Sequence, residues 1–165
     1  MKIAEGVEWA AHACAVLAGL PAGQGLNAAA LASFHELPPA YMAKHLQALS
    51  KAGIVTAVRG AQGGYALARP ASKVTLWDIQ AAISGSEPSF RCQDIRRKGP
   101  CAGYSPRGVP CPITCAFAAA EAAYRDRLSA TLISDVAREV AAGMGASGRE
   151  VFRTWAERHG VSFAR

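Results

Sequence analysis

Apolar residues recur at helical spacing along three long stretches of the chain, and two short β-prone runs interrupt them. Over residues 3–20, Val7, Ala10, Ala11, Cys14, Leu17 and Ala18 fall on or near one side, which predicts an amphipathic first helix. Residues 21–25 read as a loop. Asn27 is a good N-cap for a short, alanine-rich helix over 28–34, because its side-chain oxygen can accept an unpaired backbone N–H. His35, Glu36 and Leu37 form a turn before the next helix. Pro38 and Pro39 open that helix, since proline suits a first turn. Met42, Leu46 and Leu49 give it an apolar face, and Lys44, Gln47 and Lys51 occupy the opposite one. Gly53 marks its end.

Ile54 to Val58 is β-branched and short, a strand by composition. Gly60 to Gly64 makes a turn and Tyr65 to Ala68 returns as a second strand. Thr75 and Asp78 have capping-box spacing, which starts a helix through Ile83 that Gly85 ends, with Trp77 and Ile79 assigned to the core. From Phe90 to Cys115 the pattern loses all period and becomes rich in Gly, Pro, Arg and Cys. Then Phe117, Tyr124, Leu128, Leu132, Val136 and Val140 recur, mostly at four-residue steps, and predict one helix over 112–142. Its apolar stripe needs a covering surface, either its own domain or a second copy. Gly143 to Gly148 interrupts the pattern. The tail beyond, with Phe152, Trp155 and Phe163, reads as a short docking helix or a free segment.

A short helix, a turn, a helix with a basic outer face and a hairpin with a basic tip make a winged helix-turn-helix. The fold class is mainly α with a small β-hairpin wing. The division expected is 1–85 for the DNA-binding domain, 86–111 for a cysteine-containing sensor loop, 112–142 for a dimerisation helix and 143–165 for a C-terminal tail. From Leu37 to Lys73 there are five Lys or Arg residues and no Asp or Glu. Ala40, Tyr41 and Lys44 lie in the first turns of the recognition helix, where base-edge and phosphate contacts are made. Arg59 stands just before the wing turn, with a long cationic side chain suited to a narrow minor groove. Gln62 is in reach of the backbone or a base edge, and Gly63, with Gly60 and Gly64, permits close approach to the sugar-phosphate chain. The plainer reading of these residues is a solvated helix face beside an ordinary hairpin.

Composition narrows the options further. A length of 165 residues suits one domain with an extension, and a net charge of +6 suits a polyanionic partner such as double-stranded DNA. Half the residues are hydrophobic, yet no run approaches a membrane span. Glu5 and Glu8 interrupt what otherwise resembles a leader, so no export signal is expected. Five cysteines are odd in number and too sparse for a disulfide scaffold, which fits a reducing cytoplasm. There is no C-x-x-C, G-x-S-x-G or P-loop, so the chain is not read as an enzyme.

The run KAGIVTAVRGAQGGYALARP, with its RG-x-x-GGY-x-LA core, resembles the wing signature of the IscR/NsrR/CymR family of bacterial winged helix-turn-helix regulators. The resemblance extends from Met1 to about Val140. It implies a transcriptional regulator, read as a repressor, with a homodimer formed through the long helix. It also implies that the wing arginine, here Arg59, enters the minor groove. Several members hold an iron–sulfur cluster on three cysteines of the loop after the same helix, and Cys92, Cys101 and Cys111 match that trio by order and place. The gaps between them, eight and nine residues, are wider than the family pattern. The family's histidine ligand would fall near Thr114, and Cys115 is the nearest substitute. The expected cofactor is a 2Fe–2S or 4Fe–4S cluster on Cys92, Cys101, Cys111 and Cys115. A metal-free thiol switch, a zinc site and an electron-transfer role are the other readings of the same cysteines. Cys111 and Pro112 read as N-cap and first residue of the following helix, a position that favours a thiolate. Arg91, Arg96, Arg97, Lys98 and Arg107 surround the loop against one acid, Asp94. Cys14, in the apolar run of the first helix, is instead a buried core residue by expectation.

Overall fold

The structure, a computed structural model, describes residues 3–59, 63–105 and 107–163. It is mainly helical with one antiparallel hairpin, as the pattern predicts. Six α-helices are α1 (Glu5–Ala18), α2 (Ala28–Phe34), α3 (Pro39–Lys51), α4 (Leu76–Ser84), α5 (Pro112–Ser129) and α6 (Ile133–Arg158). The hairpin pairs β1 (Val55–Val58) with β2 (Gly64–Leu67), Val55 facing Leu67 and Val58 facing Gly64.

Local chemistry sets most boundaries. The Asn27 side chain accepts from the Ala30 N–H at 2.8 Å and starts α2. Thr75 and Asp78 form the expected reciprocal box at the start of α4, at 3.0 and 2.9 Å. Pro38 and Pro39 occupy the N-cap and first position of α3. Gly53, at φ +67°, turns the chain from α3 into β1, and the Ile54 N–H donates to the Leu49 carbonyl at 2.9 Å. The wing is fastened to the loop before α2: Leu26 and Tyr65 exchange backbone hydrogen bonds of 3.1 and 2.8 Å. A Cβ on Gly64 would collide with the Leu26 carbonyl group, so glycine there permits the close pass.

One core runs through the winged domain. Cys14, Leu31, Met42, Leu46, Leu49, Val74 and Ile79 have no exposed surface, and Ile133 and Ala156 of α6 join them. Trp77, assigned to the core by sequence, is half-buried. It packs edge-on to Tyr124, 6.4 Å between centroids, at the seam of α4 and α5. No helix among the described residues is long and apolar enough to cross a membrane.

The single helix expected over 112–142 is two helices. The helix is broken at Thr131 and Leu132, where the backbone pairs elsewhere: Leu76 N–H donates to the Thr131 carbonyl at 3.0 Å, and Ile133 N–H to the Val74 carbonyl at 2.9 Å. The expected interruption at Gly143–Gly148 contracts to one residue. Gly145 alone leaves helical geometry, at φ 65° and ψ −170°, and α6 resumes beyond it. The second arm of α6 docks on α1 and α2, where Trp155 and Phe152 lie 4.5 and 5.9 Å from Phe34. Past its end Val161 is buried, and the Ser162 backbone exchanges hydrogen bonds with the Gln24 side chain.

Candidate nucleic-acid interface and cysteine loop

The recognition helix presents the polar face that its sequence predicts. Ala40, Tyr41, Lys44, Gln47 and Lys51 are exposed on α3, opposite the buried Met42, Leu46 and Leu49. Tyr41 is 58% exposed, and its ring rests edge-on against Trp9 of α1 at 6.2 Å. His45 packs on the same Trp9, and burial first, then the neighbouring Lys44 charge, holds its pKa below the ordinary histidine value. Arg59 is exposed at the end of β1, and Gly63, half-buried, precedes β2. Gln62 and Gly60 lie outside the described residues. Lys44, Lys51 and Arg59 have no acidic partner among the described residues, whereas Arg69 pairs with Asp78 at 3.0 Å. Three unneutralised cations on the helix and wing form a surface suited to phosphate.

The cysteine loop folds on itself. The Arg96 side chain binds Asp94 at 3.0 Å and donates to the Val109 carbonyl at 2.5 Å, joining the two limbs. Ser105 Oγ donates to the Arg96 carbonyl at 2.8 Å. At the loop's start, the Ser89 and Phe90 N–H groups donate to Glu121 of α5 at 2.6 and 2.9 Å, and Phe90 stacks on Phe117 at 4.4 Å. Sequence reasoning missed these anchors; Glu121, an isolated acid in an alanine run, was the available signal.

Cys92 and Cys111 line one cleft of about 540 Å³, with Arg96, Ile113 and Thr114 beside them. Cys111 caps the start of α5. The Thr114 N–H first, then the Ile113 N–H, lowers its pKa from the ordinary thiol value, and the Arg96 charge adds to this. Asp94 N–H donates to the Cys92 sulfur at 3.3 Å. Cys101 and Cys115 do not line the cleft. Cys101 opens a separate 3₁₀ turn, Ala102–Tyr104, on the other limb, and Cys115 lies a turn further along α5; both are exposed. Among the described residues, no three His, Cys, Asp or Glu side chains converge as a metal-holding group. The soft thiolate donors fit an iron–sulfur or zinc centre chemically. The folded single chain assembles two of the four cysteines expected to hold one. Cys14 stands apart, fully buried in α1, and burial raises its thiol to about 12.

A family model described as Rrf2, an iron-dependent transcriptional regulator, matches residues 3–139. The chain belongs to the Rrf2 family. A Bacillus subtilis protein named as an HTH-type transcriptional regulator, YwgB, is 31% identical over 85 residues, 52% of this chain and 54% of YwgB, so the match spans about half of that relative. Among solved structures, B. subtilis CymR, titled the global cysteine regulator, is similar with a TM-score of 0.67 at 19% identity, over 84% of this chain and 98% of CymR. T. potens IscR is similar with a TM-score of 0.68 at 20% identity, over 92% of this chain and 96% of that one. These likenesses establish the winged-helix regulator fold. The Rrf2 match stops at residue 139, within the first arm of α6, so the docked second arm lies beyond it.

Proposed function

We propose that this Rrf2-family regulator binds operator DNA as a homodimer and that the state of its cysteine loop sets the affinity. The observation that carries this reading is Cys111. It shares a cleft with Cys92, its thiolate is favoured, and it begins the helix that packs on the winged domain. A change at Cys111 acts directly on the start of α5. From there it reaches α4 through Trp77 against Tyr124, and the segment that follows α4 through the Glu121 bonds to Ser89 and Phe90. Shifting α5 against α4 in each protomer alters the separation of two recognition helices, and so the match to two half-sites. A dimer seated across a promoter excludes polymerase, so repression is the proposed mode. Five free thiols are best kept in a reducing cytoplasm.

Cys92, Cys101 and Cys111, with Cys115 as a further thiolate, are the residues that would hold an iron–sulfur cluster. Such a cluster would make the loop responsive to iron–sulfur supply, oxygen or nitric oxide. The second reading, a metal-free thiol switch, is favoured by the cleft itself, which two of the cysteines line without a third. Anaerobic purification followed by an absorption spectrum and iron, sulfide and zinc assays separates the two. Visible charge-transfer bands with iron and sulfide, lost in Cys92→Ala or Cys111→Ala, support the cluster. A colourless, iron-free protein overturns it. Loss of operator affinity on oxidation of such a protein, reversed by a dithiol, then supports the switch.

A further inference from the structure

A second cleft, of about 310 Å³, lies at the C-terminal end of α1, between α1, α2 and both arms of α6. Val16, Phe34, Val140, Met144, Phe152 and Phe163 give it apolar walls. Its charged lining residues are Arg149 and Arg153, four residues apart and therefore on one face of the second arm of α6. Arg149 donates one hydrogen bond to the Ala141 carbonyl at 3.0 Å, across the Gly145 bend, which holds its guanidinium at the cleft. Arg153 lies over the Phe163 ring at 5.8 Å, and its Nε binds Glu157 at 3.2 Å. Among the described residues, no carboxylate lines the cleft. Its volume falls at the small end of small-molecule sites, which run from roughly 300 to 1,000 Å³.

We propose that this cleft is a binding site for a small apolar monocarboxylate, its hydrocarbon part between α1 and α6 and its carboxylate on Arg149 and Arg153. Apolar walls with one cationic rim recognise an acid with a greasy body, and a guanidinium is the side chain best shaped for a carboxylate. The ligand touches both arms of α6 and bridges the Gly145 bend. It therefore favours the docked position of the second arm and adds a metabolite input to the regulator. The site is independent of the cysteine loop and stands whether or not that loop holds a cluster.

The test uses the full chain, titrated by calorimetry with 4-phenylbutyrate and, separately, with the neutral 4-phenylbutanol. The expected result is one saturable site per chain for the acid and binding at least about tenfold weaker for the alcohol, since an unmatched charged contact is worth at least that factor. Arg149→Gln combined with Arg153→Gln should remove the preference for the acid. Ala141→Phe should fill the cleft and abolish binding, with circular dichroism checking that helix content is kept. The comparison of the two probes on the unaltered chain does not depend on either variant folding. No saturable binding of the acid, or equal binding of acid and alcohol, overturns the proposal. So does a finding that the unaltered chain excludes the probe while Ala141→Phe dissociates a dimer, because a second copy then covers the cleft.

Discussion

Cys14 and Cys111 carry the same thiol in opposite surroundings. Iodoacetamide should therefore alkylate Cys111 ahead of Cys92, Cys101 and Cys115, and Cys14 only on unfolding, as read by peptide mapping against time. Equal rates at all four loop cysteines would contradict the thiolate assigned to Cys111. Cys14 makes a prediction about alkaline stability. Above the ordinary value of 9.0 the unfolded chain releases this proton, while the folded chain keeps it until about 12. Stability is thus fully held below 9.0 and falls as pH rises across that window, by about 1.4 kcal/mol per pH unit from this group. Urea titrations across the window should show that component in the native chain and lose it in Cys14→Ala. On the DNA face, Arg59→Ala should weaken operator binding by about tenfold and make the slope of log affinity against log salt shallower by about one. Arg69→Ala, whose side chain is engaged with Asp78, should leave that slope unchanged.

At the scale of elements, Thr75 is the sharpest test. Thr75→Ala removes the oxygen that receives the Asp78 N–H and should destabilise the chain by about 1 kcal/mol in chemical denaturation, with the fold unchanged. That box, the Asn27 cap and the buried face of α3 were legible in the sequence because each is written within a few residues. The break between α5 and α6 was not. Leu128, Leu132 and Val136 keep their four-residue rhythm straight through it, with no glycine or proline to mark the gap. Its cause is a backbone pairing with residues 74–76, more than fifty positions earlier in the chain. Cysteine placement was half legible for a related reason. The helix start at Cys111 follows from Pro112, whereas the placing of Cys92 and Cys111 on one cleft depends on Arg96 joining two limbs of an aperiodic loop.

Taken whole, the molecule links three surfaces through α5 and α6. The winged domain carries the exposed cations, the cysteine loop starts α5, and α6 returns to cover α1 and α2. Phe117, 50% exposed, leaves apolar surface on α5 for the proposed dimer contact. The central claim is that the loop's chemical state governs DNA affinity, and one titration tests it directly. A duplex selected from a random library is bound to anaerobically purified protein, then to the same protein after oxidation, with Cys111→Ala run alongside. The account predicts salt-dependent specific binding that shifts by at least about tenfold between the two states, and a Cys111→Ala protein locked in one of them. Identical affinity in both states, with DNA binding otherwise intact, would contradict it and leave a regulator whose cysteines do not control its grip on DNA.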